Sequence, residues 1–433
     1  MIIDLPKTTS TSVSKKLVRL RNDVGAMTLG RVLTLIIVVD DHEADEIIEA
    51  ANDASRQHPC RIIVVVAGNR RGTNRMDAQI RVGGDAGASE VVVLRLFGAL
   101  ANHGQSVVVP LLLPDSPVVA WWPHEAPADL RKDPIAQMAQ RRITDSAESS
   151  SPKASLKRLA KIYSPGDTDL AWTRITLWRG LLAAALDGAP YEPVTDAVVA
   201  GASDSPSSEL LAGWLATVLR VPVRRVRTKA GTGVMSVRLE RRSGPVDLVR
   251  PDGSVATLSQ PGQPDRRISL KRWGLAECLA DELRRLDADE VYEEALTRGL
   301  DKVGPASRTA DEAAAVGDTP SLTQARRLAR RLARTRSAEK ASAMVTAPPA
   351  PQVGEEAVVR KATAHKLASR PTPREAAVES SSAKEKKATT RKSASRAAAQ
   401  KASAKKATAK KTTAKKTTAK KDPRRSTRKP AGT

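Results

Sequence analysis

Two nearly unbroken apolar, β-branched runs, RVLTLIIVV (31–39) and RIIVVVA (61–67), constrain this chain more than any other feature. A strand with one wet face alternates polar and apolar residues. An unbroken run instead predicts a strand covered on both faces, as in a parallel sheet between helices. Between the two runs, Asp40 and Asp41 can cap a helix whose Ala44, Ile47, Ile48 and Ala51 share one face. Ahead of them, Val13, Leu17, Leu20, Val24 and Met27 recur at spacings of three and four, predicting an amphipathic helix. AQIRV (78–82), SVVVPLLL (106–113) and PVVAWW (117–122) read as further strands. The stretch 88–103 reads as a helix with Val93, Leu96, Phe97 and Leu100 on one side. Strands alternating with helices predict an α/β fold with a mainly parallel sheet.

The pattern changes after the Ser-rich DSAESSSPKAS (145–155), which reads as a domain boundary. Trp172, Ile175, Trp178, Leu182 and Ala185 line one face of a predicted long helix that Gly188 can terminate. Another helix should start at Ser205-Pro206 and end near Val221-Pro222. From Val223 to Leu270, VPVRRVR, VMSVRLE, VDLVR, VATLS and RRISL are short runs separated by Gly and Pro, as antiparallel hairpins require. Leu275, Cys278, Leu279, Leu283 and Leu286 then mark a helix, which VYEEALTRGL extends or follows. The expected architecture is an N-terminal α/β domain (1–150) and a C-terminal α+β domain (151–300) with a helical lead-in. Both are built on mixed sheets flanked by helices.

Charge separates a third part. Residues 321–433 hold 31 Lys and Arg against 7 Asp and Glu, which is the whole net charge of +24. The preceding 320 residues are neutral, and every aromatic residue lies at or before Tyr292. The Lys/Ala/Thr repeats have too little apolar surface to offset chain entropy, so 301–433 is expected to be a largely disordered basic tail. Such a tail binds polyanions such as DNA by counterion release, or merely solubilises. Without aromatics it has no base-stacking platform. Two cysteines 218 positions apart exclude a disulfide scaffold and a CxxC metal knuckle. The start, MIIDLPKTT, lacks the pattern of a secretion signal. Asp115 and four prolines interrupt the most apolar long stretch, 106–123, so no membrane helix is expected and the protein should be cytoplasmic.

Catalytic motifs are missing from the sequence. Gly83, Gly84 and Gly87 do not have GxGxxG spacing, and there is no GxxxxGK[ST], HExxH or GxSxG. DDHEADE (40–46) reads as acidic residues in a helix's first turn, since consecutive positions point apart and suit one ion poorly. His58-Pro59-Cys60-Arg61 reads as a turn into a buried strand. No catalytic, cofactor or metal residue is nominated. Trp and Arg are enriched where proteins bind proteins, which makes Trp121, Trp122, Arg266 and Arg267 the candidate partner interface. Pro261, Gly262 and Pro264 predict that SQPGQPDRR (259–267) is a loop presenting both arginines. The competing reading pairs them internally with the acidic 287–294 stretch. Trp172 and Trp178, at helical spacing, read as core.

The literal text goes further. ASRQHPCRIIVVVAG, RVGGDAGASEVVVLRLFGALANH, LLLPDSPVVAWWP, AQRRITDS, YSPGDTDLAWTRITLWRGLLAAALD, VATLSQPGQPDRR and LAECLADELRRLDADEVYEEAL closely resemble the OpcA family, the glucose-6-phosphate dehydrogenase assembly proteins of the oxidative pentose phosphate pathway. The resemblance runs in order from about Met1 to Leu300 and leaves out the tail. It implies a non-catalytic protein that binds the dehydrogenase, favours its active oligomer and raises its activity. It carries over no catalytic residue and no cofactor. Cysteine redox control, associated with some relatives, would rest here on Cys60 and Cys278, and both lie in apolar patterns that argue against it. The alternative function is polyanion or nucleic-acid binding through the tail.

Overall fold

The computed structural model describes residues 1–23, 32–82 and 90–346. The two apolar runs become neighbouring parallel strands, β2 (Leu33–Asp40) and β3 (Cys60–Ala67), in register from Leu33 opposite Cys60 to Asp40 opposite Ala67. With β1 (Ile2–Leu5), β4 (Arg75–Arg81), β5 (Glu90–Phe97), β6 (Val118–Trp122), β7 (Arg141–Thr144) and β8 (Asp167–Asp169) they form a sheet ordered β1-β4-β5-β3-β2-β6-β7-β8. β4 is antiparallel to both β1 and β5, and the remaining pairs are parallel. Side chains alternate across a strand, so the runs supply two cores at once. Leu35, Ile37, Ile62 and Val64 pack on one side with Ile47, Ile48 and Ala51 of α2 (Ala44–Ser55). Ile36, Ile63 and Val65 pack on the other with Val13, Leu17 and Leu20 of α1 (Ser10–Asp23).

Three expectations change here. The predicted helix over 88–103 is instead strand β5, with Val91, Val92 and Val93 all buried. Consecutive β-branched residues lose rotamer freedom in a helix and fit a doubly covered strand. SVVVPLLL is not a strand: it forms the end of α3 (Gly104–Val108) and a 3₁₀ turn at Val109–Leu111. Pro110 has no N–H to give to a ladder, and Val107, Val108 and Leu111 cover the same core as α1. Val24, Met27, Gly83, Gly84 and Gly87 lie outside the described residues. Two short helices follow, α4 (Pro134–Met138) and α5 (Pro152–Ile162).

The predicted Trp-lined helix is broken at Arg174–Ile175 into α6 (Leu170–Thr173) and α7 (Thr176–Leu186), although its five apolar residues are all buried. α8 (Pro206–Val218) starts where expected, with the Ser205 hydroxyl accepting the Ser208 N–H at 3.2 Å. The second sheet comprises β9 (Asp196–Ala202), β10 (Val223–Thr228), β11 (Val234–Glu240), β12 (Val246–Val249), β13 (Val255–Gln260), β14 (Gln263–Ser269) and β15 (Val303–Thr309). Its order is β14-β13-β12-β11-β9-β10-β15. The hairpins run through β11–β14 as predicted, whereas β10 is parallel to both neighbours. α9 (Leu275–Glu282) and α10 (Glu290–Glu294) follow the hairpins.

SQPGQPDRR is a tight hairpin rather than a loop. Gly262 turns the chain at φ +71°, and β14 continues through Pro264 as the edge strand. An edge strand leaves one row of N–H groups unpaired, so proline is tolerated there. The folded chain also runs past Leu300, where composition had placed the tail. β15 pairs with β10, and α11 (Ala310–Ala315) with the start of α12 (Leu322–Thr346) buries Ala310, Ala313 and Leu322 against Val198 and Val226. The first sheet likewise takes β8, and the cover of Cys278, Leu279 and Leu283, from beyond Ser150.

Candidate functional site

In open α/β sheets, ligands gather beyond the carboxyl ends of the strands. Here β7 leads there into Asp145 and Ser146, and β8 ends in Asp169, which caps α6. The Asp169 carboxylate is fully buried. It accepts the N–H groups of Ala171 and Ser146 and the Ser146 hydroxyl, each at 2.9 Å, and the Thr144 hydroxyl at 2.7 Å. Burial, reinforced by the neighbouring Asp145 charge, pushes its pKa up to about 6 against the pull of those donors. Asp145 is also buried and takes a two-pronged grip from Arg174, both bonds 2.6 Å. Burial opposes the Arg174 charge, but Asp145 more than offsets it and the guanidinium is held above its usual pKa.

A second pair lies below the first. Arg141, the first residue of β7, donates to Glu282 of α9 at 2.7 Å and to the Asp287 carbonyl at 2.6 Å. Thr173 of α6 donates to the other Glu282 oxygen at 2.5 Å. Trp172 donates its indole N–H to Asp289 at 2.8 Å, with Arg179 stacked 3.6 Å from its ring. Ser207, at the start of α8, donates to the Ala171 carbonyl at 2.9 Å. These bonds join the first sheet to helices that also pack on the second. Charge-assisted, two-pronged bonds fix geometry as well as distance, so the joint is a rigid polar seam. A cavity of about 410 Å³ opens beside it, where Arg174 and Trp178 meet the start of α8.

The residues nominated from sequence lie elsewhere. Trp121 and Trp122 are 0% and 2% exposed and face the two opposite cores of the first sheet. They are not a surface. Their place in an apolar strand between β2 and β7 explains their burial. Arg266 and Arg267 are exposed on β14. Arg266 donates to Gln260 across the hairpin at 3.0 Å, not to the acidic 287–294 stretch, whose Asp289 serves Trp172. Cys60 opens β3 and Cys278 lies on α9, both buried as free thiols. Burial pushes the Cys278 thiol up to about 12. In DDHEADE, Asp45 and Glu46 do occupy the first turn of α2. Among the described residues no His, Cys, Asp and Glu cluster is arranged to hold a metal ion, and no helix is long and apolar enough to cross a membrane.

Asp145, Asp169, Arg174 and Glu282 were not singled out from sequence. Their signal was present: RRITDS, GDTDLAWTR and LADELRR each set charges within apolar runs. Reading DSAESSS as a linker concealed it.

Residues 51–161 match the family model described as the glucose-6-phosphate dehydrogenase subunit N-terminal domain, and residues 165–296 match its C-terminal domain. Together the matches span more than half of the chain. Comparison with curated proteins gives no match. Among solved structures, KijD10, a 3-ketoreductase from Actinomadura kijaniata in complex with NADP, is similar at 11% identity and a TM-score of 0.33. That similarity covers 63% of this chain and 96% of the other. A Gfo/Idh/MocA family oxidoreductase from Vibrio cholerae is similar at 11% identity and a TM-score of 0.31, over 61% and 94%. At that distance neither likeness bears on activity.

Proposed function

Because this chain belongs to the OpcA family of glucose-6-phosphate dehydrogenase assembly proteins, we propose that it is a non-catalytic partner that binds the dehydrogenase and favours its active oligomer. The match of both family domains, in order, carries this reading. The seam supports it: the buried charges at the strand ends grip one another, as suits a rigid body that presents surfaces. A partner activates by binding one state of the enzyme better than another, and a tenfold shift needs about 1.4 kcal/mol of differential affinity.

Part of the docking surface, in this reading, is the β14 edge. Its unpaired backbone row lies beside exposed Arg266 and Arg267, whose planar forks suit carboxylates on a partner. Mixing purified protein with the dehydrogenase, then measuring rate and sedimentation together, tests the function. The expected result is a faster enzyme and a shift in its oligomer distribution, with no dehydrogenase activity from this chain alone. An unchanged rate and unchanged oligomer would refute it.

A further inference from the structure

The cavity beside the seam collects positive charge from two sources. The first is backbone. The starts of α8 (Ser205–Ser207) and α9 (Gly274, Leu275) both line it. The first N–H groups of a helix have no partner within the helix, and its dipole favours an anion there.

The second source is a buried cation. Arg250, just after β12, lines the cavity at 4% exposure. Its terminal nitrogens donate to the carbonyls of Leu270 and Val234 at 3.1 and 3.0 Å, and its Nε has no hydrogen-bond partner. Its guanidinium stands 5.1 Å from the centre of the Trp178 ring. Among the described residues no carboxylate pairs with it. The neighbouring cation is Arg272, also on the wall, which donates to the carbonyls of Gly231 and Thr232. Burial, then the like charge of Arg272, lowers the Arg250 pKa to about 10. A buried charge without a counter-charge is costly unless something supplies one.

Carboxylates on the wall do not fill that role. Asp204 accepts the Gly231 N–H at 3.2 Å, Glu148 lies 4.0 Å from Arg174, and Glu46 is exposed on α2. Arg174 is already balanced by Asp145. Arg250 and Arg272 are left facing the cavity with two helix starts. Two cations and converging N–H groups match a dianion with several acceptor oxygens better than they match a carboxylate. The volume, and the rings of Trp178 and Trp273 on the wall, leave room for a small organic body.

We propose that this cavity binds the phosphate of a small phosphomonoester metabolite, held by Arg250, Arg272 and the starts of α8 and α9. The site belongs to the folded chain itself, so its test does not involve the dehydrogenase. Full-length protein is titrated calorimetrically with glucose 6-phosphate, inorganic phosphate and, as the uncharged control, glucose. Saturable one-to-one binding of the ester, weaker binding of phosphate and none of glucose are expected. Arg272→Gln, at an exposed position, and Arg250→Lys should each weaken ester binding by about tenfold, the usual scale for losing a bond to a charged group. Both variants keep the basic tail, so tail binding alone would leave affinity unchanged in both and overturn the proposal. Absence of saturable ester binding would overturn it equally. Ester and inorganic phosphate binding with the same affinity would refute the metabolite assignment. Should Arg250→Lys fail to fold, Arg272→Gln decides.

Discussion

The two sheets treat buried arginines in opposite ways. In the first, each has a carboxylate: Arg61 lies 3.4 Å from Glu90, Arg141 lies 2.7 Å from Glu282, and Arg142 pairs with Asp167. In the second, Arg250 donates to two backbone carbonyls and Arg241 to the Pro190 carbonyl, while Arg225 has two carbonyls and a longer contact, 3.4 Å, to Glu209. Carbonyls satisfy donors without cancelling charge. The first sheet's interior is therefore electrically closed, and the second keeps an excess of positive charge. Topology explains the difference. Parallel strands bring helices such as α9 across both faces, and helices carry carboxylates inward. Hairpins end in turns, whose free carbonyls are the nearest acceptors.

The sharpest way to break this comparison is to unpair a charge in the closed half. Asp145→Ala leaves Arg174 buried without a counter-charge and should cost about 3–5 kcal/mol of unfolding free energy in urea. A loss near 1 kcal/mol would show that the seam is not a structural pair.

Asp169 tests the same seam through pH. Its folded pKa, about 6, lies above the ordinary aspartate value. Its protonated form therefore adds stability that is fully present below about pH 4 and lost as pH rises through 6. Measured against Asp169→Asn, the wild type should gain about 2 kcal/mol between pH 7 and pH 4. A constant difference across that range would mean that the four donors hold the carboxylate ionised.

In the open half, Arg250→Met removes an uncompensated cation along with two carbonyl bonds, and these effects oppose each other. The net cost should be about 1 kcal/mol. A cost equal to that of Asp145→Ala would erase the distinction between the sheets.

The edge should be least sensitive. Arg266→Glu with Arg267→Glu should alter stability by less than about 0.5 kcal/mol, as exposed substitutions do, while abolishing dehydrogenase binding in a pull-down. Binding retained at wild-type strength would remove the edge from the docking surface. Cys278, protonated and buried, should resist alkylation at pH 8 until the chain is denatured, as read by mass.

Much of the first sheet was legible because its signal is local. In 31–39 and 61–67 each residue reports burial on its own, and the acidic turn at 40–46 punctuates them. The same logic misjudged 88–103, where helical spacing of Val93, Leu96, Phe97 and Leu100 coexists with a β-branched run. Spacing alone could not tell a helix face from a strand with two cores. Proline misled twice in opposite senses: Pro110 sits in a helical turn within what read as a strand, and Pro264 in a strand within what read as a loop. What a proline tolerates depends on whether its backbone nitrogen faces a neighbour.

The sequence by itself determined the family, the doubly covered strands, the hairpin series and the separation of a basic tail from a neutral body. Each of these is written in neighbouring residues or in literal motif text. Only tertiary structure decided that Trp121 and Trp122 are core, that 303–322 belongs to the fold, and that Asp145 meets Arg174 while Arg141 meets Glu282 from 141 positions away. A buried charge is stable only with a partner, and partners are chosen by which strand ends and helix starts the fold brings within about 3 Å. That distance is set by packing.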